Sequence, residues 1–284
     1  MILIADSGST KTDWCLLDKG DKNAKFFKTK GINPQVQSSD WINEMLHKEI
    51  PNPIQQLHID HIYYYGAGCS SRQNNKIVGD NLSTVFNAEN IHVNHDIMGA
   101  ARALCGTAPG IACILGTGSN SVYYDGKHLV KKSDALGYIL GDEGSGAYIG
   151  KKLVADFLYG QMPDELLAYY KDELKLTKAK IFNKVYSQPN ANRYLASFCG
   201  SLEQFRSNPY VETLLQSSFE TFFQLHVLIY EECKNVPIHF TGSIAFFYQD
   251  VLDRVCDKYG LQLGNFSQRP IQELRDYHQN NCHE

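Results

Sequence analysis

The feature that most constrains this chain is a pattern met twice: an apolar strand, a short turn of glycine and hydroxylated residues, and a second apolar strand. The first copy opens the chain. Ile2 to Ala5 run into Asp6, then Ser7-Gly-Ser-Thr-Lys-Thr12, then Trp14 to Leu17. The second copy is Gly110 to Leu115, Gly116-Thr-Gly-Ser-Asn120, then Ser121 to Tyr124, closed by Asp125-Gly126. Apolar, β-branched runs bounded by Gly, Ser and Thr read as strands joined by tight turns. Gly8 lets the backbone bend sharply and come close to a ligand. Free amide N–H groups at such a turn can converge on phosphate oxygens, and Lys11 can add a point charge. Asp6, at the end of a buried strand, suits a hard cation that accompanies phosphates. Each turn also reads as an ordinary hairpin. A Walker A loop is absent, because no Gly-x-x-x-x-Gly-Lys-Ser/Thr occurs. Two such turns, each opening a domain-sized segment, would together clamp a triphosphate.

The 284 residues are enough for two domains. A net charge of −4 argues against non-specific nucleic-acid binding as the main task. The eight cysteines form no Cys-x-x-Cys and read as reduced core or surface thiols of a cytosolic protein. No basic segment followed by a signal-length apolar run opens the chain. No apolar run approaches 18 residues, so no membrane span is expected.

A polar turn at residues 19–23 and a strand through Phe26, Phe27 and Thr29 extend the opening into a three-stranded antiparallel meander. It ends at Gly31-Ile-Asn-Pro34, where Asn33 either presents its side chain at a fixed loop or closes an Asx turn. Ser39-Asp40 can cap a helix carrying Trp41, Ile42, Met45 and Leu46. A strand over His61–Tyr65, a helix from Ser71 to Phe86, and a strand from Ile91 to Asp96 follow, then a helix from Ile97 to Cys105. Asp96 therefore stands where a strand meets a helix, facing the crevice in open α/β sheets. It can cap the helix or act on a substrate; His92 and His95 beside it receive no role. Thr107-Ala-Pro-Gly110 reads as a hinge or a domain boundary.

Further on, Gly141-Asp-Glu-Gly-Ser-Gly146 precedes a helix from Ala147 to Tyr159, so Asp142 and Glu143 lie near its positive end. Residues 163–234 read as helical, with Val211 to Glu232 as the clearest helix. Pro237 to Thr241 is a strand turning at Gly242-Ser243 into a helix, and a glycine there admits a ligand close to the backbone. A last strand spans Leu261–Phe266, and Pro270 starts a terminal helix.

Five pieces in fixed order carry a resemblance: Ile4-Ala-Asp-Ser-Gly-Ser-Thr-Lys-Thr12, Asn94-His-Asp-Ile-Met-Gly-Ala-Ala101, Ile114-Leu-Gly-Thr-Gly-Ser-Asn120, Leu140-Gly-Asp-Glu-Gly-Ser-Gly146 and Phe240-Thr-Gly-Ser243. Together they resemble the N-acetylglucosamine kinase branch of the actin, hexokinase and Hsp70-like ATPases. They also resemble the wider group that includes activators of 2-hydroxyacyl-CoA dehydratases. The resemblance spans residues 1–275, with 160–235 matched only in helical character.

What the resemblance implies is an α/β fold of two ribonuclease H-like, actin-like ATPase domains around a central nucleotide cleft. The first domain would cover 1–108, joined by a terminal helix at about 270–284; the second would cover 109–269 with a helical insertion. The cofactors implied are ATP and Mg²⁺. Asp6, Gly8, Ser9, Thr10 and Lys11 on the first turn, and Gly116, Thr117, Gly118 and Ser119 on the second, would hold the phosphates. Asp6 would serve the metal. Gly242 and Ser243 would lie under the adenosine. Asp96 matches the catalytic base, and Asn33, Asp96, Thr117 and Asp142 match sugar contacts. The activity implied is a cytoplasmic, homodimeric kinase acting on an amino sugar, with N-acetylglucosamine at its 6-hydroxyl as first choice. No partner in nucleic acid or membrane is expected. The zinc-binding cysteine cluster of another bacterial sugar-kinase group is absent, which excludes that branch.

Two other readings compete. A dehydratase activator of the same group would carry Gly-Gly-Gln-Asp at its second turn and cysteines for an iron–sulfur cluster. Here that turn is Gly116-Thr-Gly-Ser, and no cysteine flanks Gly141-Asp-Glu-Gly. A non-catalytic nucleotide- or sugar-binding regulator would be expected to carry a DNA-binding helix-turn-helix ahead of the first strand.

Overall fold

The computed structural model describes residues 1–8, 10–18 and 24–281. Ser9, the turn at 19–23 and Cys282 lie outside the described residues. The chain divides into two compact units, residues 1–107 with 269–284, and residues 108–268.

The first unit runs β1 (Ile2–Ser7), β2 (Lys11–Leu17), β3 (Lys25–Lys30), α1 (Ser39–Glu49), β4 (His58–Gly66), α2 (Arg72–Val85), β5 (Asn87–His95) and α3 (Asp96–Cys105). The second runs β6 (Gly110–Leu115), β7 (Ser119–Tyr124), β8 (Leu129–Lys132), α4 (Gly146–Tyr159), α5 (Pro209–Phe222), β9 (Ile238–Thr241), α6 (Gln249–Tyr259) and β10 (Leu263–Ser267). A last helix, α7 (Pro270–Asn281), belongs to the first unit. Shorter helical turns fill the connections.

The first sheet has the order β3-β2-β1-β4-β5. Its first three strands form the expected antiparallel meander, and β4 and β5 add in parallel. Side chains alternate across the sheet. Leu3, Ala5, Trp14, Leu16, Ile62 and Tyr64 share one buried cluster with Ile42 and Leu46 of α1 and Val78 and Leu82 of α2. Ile2, Ile4, Cys15, Leu17 and Tyr65 share the other with Ile271 and Leu274 of α7. Fully buried Trp14 stacks on Phe27 at 5.7 Å and donates its indole N–H to Thr29 Oγ1 at 3.0 Å. A buried Trp needs such a partner for its polar atom.

The second sheet has the order β10-β9-β6-β7-β8. Read from its far edge, that is the same arrangement: an antiparallel meander β6-β7-β8, with β9 and β10 parallel to β6 and to each other. Ile111, Cys113, Leu115 and Phe240 pack with Ile149, Leu153, Phe219 and Leu252 from α4, α5 and α6. Gly150 of α4 lets the helix at Ala191–Ser197 come close, since a β-carbon there would overlap the Leu195 carbonyl.

The stretch read as one helical region, 163–234, is instead a series of short pieces, and the helix expected over Val211–Glu232 stops at Phe222. It continues as a wide turn in which Leu228 N–H donates to the Phe223 carbonyl, five residues back, at 2.8 Å. The reason is packing. The widened turn lets Phe222, Phe223, His226 and Val227 all face inward, and all are buried. Such π-type turns recur at functional sites. Among the described residues no helix is long and apolar enough to cross a membrane.

Candidate active site

In the first unit the candidate residues gather at the carboxyl ends of the central strands. Ser7 ends β1, and its buried hydroxyl meets Thr12 Oγ1 at 2.7 Å and accepts the Ile32 N–H at 3.2 Å. One hydroxyl thus ties the ends of β1 and β2 to the loop that carries Asn33. Gly8 N–H donates to the Lys11 carbonyl at 3.0 Å. The bend itself does not require glycine: φ is not positive at Gly8, and an added β-carbon would meet nothing nearer than 3.8 Å. What Gly8 leaves is open space beside the backbone.

Register places Asp6 directly opposite Asp13, a pairing that the length of the hairpin turn could have revealed. Like charges facing across a ladder repel. Burial, Asp13 and Asp96 together raise the Asp6 pKa from 3.8 to about 7, with Lys11 opposing. Lys11 does not stand clear as a point charge; its Nζ donates to the buried carboxylate of Asp13 at 2.7 Å. Lys28 joins the same carboxylate at 3.6 Å. The lysines pair with Asp13, and burial first of all makes Asp6 hold its proton more tightly than a free carboxyl does.

Asp96 is the first residue of α3, and its Oδ1 accepts the Ile97 N–H at 2.7 Å. The cap itself is His95, so Asp96 assists the helix start from its first position, with one of its two carboxylate oxygens. His95, given no role from sequence, puts Nδ1 against Asp96 Oδ1. The same nitrogen accepts the Ile97 N–H at 3.3 Å. Asn33 closes an Asx turn, its Oδ1 accepting Gln35 N–H at 3.0 Å. Gly68, with φ of 77°, passes so near this oxygen that a β-carbon would overlap it. The loops after β3 and β4 are thereby packed together.

In the second unit the turn from Gly116 to Gly118 sits against the start of α4. Gly116 and Thr117 carbonyls accept the N–H groups of Gly146 and Ala147 at 2.8 and 3.1 Å. Ser145 caps the helix, accepting Tyr148 N–H at 3.2 Å. The early N–H groups of α4 are thus engaged by protein. Ser119 is buried, and its Oγ has no hydrogen-bond partner, an orphan that a ligand oxygen would satisfy. Nothing lies within 4 Å of a β-carbon placed at Gly116, so space opens before the turn.

Asp142 adopts φ of 58°, uncommon for a residue with a side chain. Its Oδ1 accepts Ser119 N–H at 3.4 Å, and its carboxylate fills the space a side chain at Gly118 would take. Burial raises its pKa against that N–H. Next to it, Glu143 Oε2 meets His226 Nε2 at 2.9 Å. His226 stacks on Phe222 at 5.1 Å, and its carbonyl accepts the Ser121 hydroxyl at 2.5 Å. Its other nitrogen, Nδ1, is buried without a partner, so the ring donates from Nε2. No sequence signal joins residues 143 and 226; the wide turn after α5 brings them together.

Gly242 and Ser243 occupy the turn after β9. Gly242 has φ of 104°, and a β-carbon would overlap the Leu115 carbonyl oxygen. Its lack of a side chain lets it pack against the backbone of β6. Ser243 is exposed. Among the described residues no three His, Cys, Asp or Glu side chains converge as a ready metal site. All seven described cysteines are buried, and none is in a disulfide.

Comparison with solved structures places this arrangement. The chain is 44% identical, over 99% of its length and 100% of the other, to a Porphyromonas gingivalis protein provisionally named N-acetylglucosamine kinase, with a TM-score of 0.94. A Chromobacterium violaceum protein of the same designation matches at TM-score 0.72 and 19% identity, over 97% of this chain and 98% of that one. The ROK hexokinase of Thermus thermophilus matches at 0.54 and 11%, over 97% of each chain. The last two show shared fold alone, the two-domain ribonuclease H-like architecture expected from sequence. No family model matches the chain, and neither does any curated protein.

Proposed function

The chain belongs to the N-acetylglucosamine kinase family, and on that footing we propose that it transfers the terminal phosphoryl group of ATP to an amino sugar, with N-acetylglucosamine and its 6-hydroxyl as the first-choice acceptor. The observation that carries this reading is the pairing of two unlike carboxylates in the first unit. Burial and two neighbouring carboxylates raise the Asp6 pKa to about 7, while Asp96 gives only one oxygen to the Ile97 N–H.

Phosphoryl transfer depends mainly on positioning and charge neutralisation. Asp96 would take the proton of the attacking hydroxyl. Asn33, Thr117 and Asp142 would orient the sugar. On the phosphate side, the proposed residues are Gly8 to Lys11 and Gly116 to Ser119, where the Ser119 hydroxyl lacks a partner. Gly242 and Ser243 would flank the base. Magnesium, when bound with ATP, supplies charge to the phosphate oxygens. The donor set fits such an ion at Asp6, a carboxylate crowded by two others.

The reading extends to a cytoplasmic homodimer. Buried free thiols suit a reducing compartment, and the dimer follows the usual state of similar kinases; sedimentation velocity would test it. We keep the domain division of 1–108 with 270–284, and 109–269, as part of the proposal. The deciding experiment is ATP consumption against glucosamine, N-acetylglucosamine, N-acetylmannosamine and a muramyl sugar, with each product identified by mass. Phosphorylation of N-acetylglucosamine at O6 is expected. Failure on every amino sugar would overturn the substrate class.

A further inference from the structure

The part of the second unit that lies between α4 and α5 in the chain holds a cavity of about 700 Å³, and none of the candidate site residues lines it. Two stretches build its walls. The first is a wide turn over Tyr169–Glu173, after which Leu174 N–H donates to the Tyr169 carbonyl, five residues back, at 3.0 Å. Lys175 then takes φ of 49°, and Leu176 N–H returns to the Tyr170 carbonyl at 3.0 Å. This reversal sets Leu174 and Leu176 in the lining with Tyr169. The second stretch is the helix at Ala191–Ser197 with the tight turn Phe198–Ser201 after it, which contributes Tyr194, Phe198 and Gly200. A β-carbon at Gly200 would meet nothing within 4 Å, so the space stays open there.

The second wall is braced. Leu195 and Ala196 sit close against Gly150 and Gly146 of α4, and Cys199 Sγ donates to the Gly146 carbonyl at 3.4 Å. Tyr248 Oη donates to the Cys199 carbonyl at 2.9 Å. Tyr194 and Phe198 meet edge to face at 5.1 Å, and buried Tyr170 stacks on Phe198 at 5.8 Å. Walls held this way give a preformed cavity, the usual state of a small-molecule site. The polar groups of the lining are rich in acceptors. Ser197 and Ser201 have given their hydroxyl protons to the Tyr194 and Phe198 carbonyls at 2.6 and 2.7 Å. Tyr170 Oη, 2.7 Å from Ser201 Oγ, is then the donor of that pair. Glu203 is the one charged residue of the lining, and a carboxylate only accepts. No lysine, arginine or histidine joins it; the neighbouring Lys171 and Lys175 are exposed and stay out of the lining.

We propose that this cavity binds a small organic ammonium ion, with the charged nitrogen between Glu203 and the rings of Tyr169, Tyr194 and Phe198, and an apolar body against Leu174 and Leu176. Aromatic rings attract cations, an ammonium above all. Its N–H groups can meet the serine oxygens, and its charge meets the carboxylate. A neutral apolar occupant would strip water from those acceptors and return no donor. An anion would add repulsion from Glu203, with no cation in the lining to offset it. The volume lies in the range of small-molecule sites and far exceeds a bare ammonium, so the ligand carries a body. The inference uses none of the residues proposed for phosphoryl transfer.

The test is a titration of the full chain with three probes of nearly one shape: benzylammonium, benzyl alcohol and benzoate, at ionic strength matched with sodium chloride. The readout is leucine methyl NMR, with Leu174 and Leu176 assigned through Leu174→Ile and Leu176→Ile. Benzylammonium is expected to shift both sets of methyls saturably. Benzyl alcohol should bind about tenfold more weakly, the combined weight of a cation–ring contact and a carboxylate, and benzoate should not bind. Glu203→Gln should weaken benzylammonium about threefold and leave benzyl alcohol unchanged, a split that a merely structural role would not produce. Gln204→Lys, at an exposed position of the same lining, gives a second variant that should also select against the cation should the first fail to fold. Equal affinity for the cation and the alcohol, no saturable shift at Leu174 and Leu176, or unchanged benzylammonium affinity in a folded variant would overturn the proposal. No ATP or sugar enters the titration, so its result stands apart from that of the kinase assay.

Discussion

The two units carry the same strand arrangement with opposite electrostatic economies. At the carboxyl end of the first sheet, three carboxylates, Asp6, Asp13 and Asp96, crowd together, and only Asp13 has lysines to itself. In the second, each acid is already answered: Asp142 by the Ser119 N–H, Glu143 by His226. One topology can therefore serve two tasks. On the proposed reading, the first unit would keep acids for a metal-bound phosphate and a proton, while the second commits its acids to local contacts. That difference can be broken or sharpened by mutation.

The largest effect should come from Asp96→Asn. The amide oxygen still accepts Ile97 N–H, so the helix cap and the fold survive. Turnover with ATP and N-acetylglucosamine should fall at least ~10²-fold, with both ligands still bound. Near-normal kcat would show that the first unit does not hold the base.

Asp6→Asn should weaken use of Mg·ATP by roughly tenfold, in the range seen when metal-supporting groups are removed, with sugar affinity kept. A loss of sugar affinity instead would sink the assignment. The same variant tests the charge imbalance directly. Asp6 titrates at about 7 in the fold against 3.8 as a free side chain. Between those values the folded state binds more protons, so this group lowers stability as pH rises through the window, and its contribution is level above it. Melting of metal-free protein should therefore show the variant gaining on the wild type from pH 4 to pH 7. A constant difference would mean that Asp6 is not crowded.

On the second unit, His226→Gln and Glu143→Gln should each raise KM for the sugar by about three- to tenfold with a smaller change in kcat. Their double mutant should be no worse than either alone, the mark of a coupled pair. Additive losses would show that the contact holds nothing in place.

Glycine gives the smallest and cleanest contrast. Gly242→Ala forces a side chain onto positive φ and into the Leu115 carbonyl, which should cost about 1–3 kcal/mol and lower Tm by roughly 2–10 °C. Gly8→Ala meets open space and should stay within ~0.5 kcal/mol of wild type, its penalty confined to ATP affinity. Equal melting losses in both would erase the distinction between a glycine kept for backbone packing and one kept for a ligand.

Much of this was legible in the chain. The meanders, the parallel strands and the strand-to-helix placement of Asp96 follow from apolar alternation and turn residues, which are local signals. The Asx turn at Asn33 was one of two readings, and the second sheet's likeness to the first was visible as a repeated strand–turn–strand. Glu143 and His226 were not legible, because a hydrogen bond across 83 positions leaves no periodicity. Nor was the break after Phe222: helix propensity runs on through Leu228, and only the packing of two adjacent phenylalanines explains the wider turn. The Lys11 ion pair was hidden for a related reason, since its partner Asp13 is visible only once the hairpin register is fixed.

The return of α7 to the first unit has a consequence for synthesis. Ile271 and Leu274 cover the face of β1 and β2 that carries Ile2, Ile4 and Cys15. Residues 108–268 are translated between those two halves of one core. At about 5–20 residues per second, the amino-terminal sheet waits on the order of ten to thirty seconds with that face uncovered. During that interval the second unit, whose strands and helices are contiguous in the chain, can fold to completion. The order of maturation thus runs against the order of translation. An exposed apolar sheet face in a nascent chain is a natural client for a chaperone, and a ribosome-bound chain stalled before residue 270 should be more sensitive to protease in β1 and β2 than in β6 and β7.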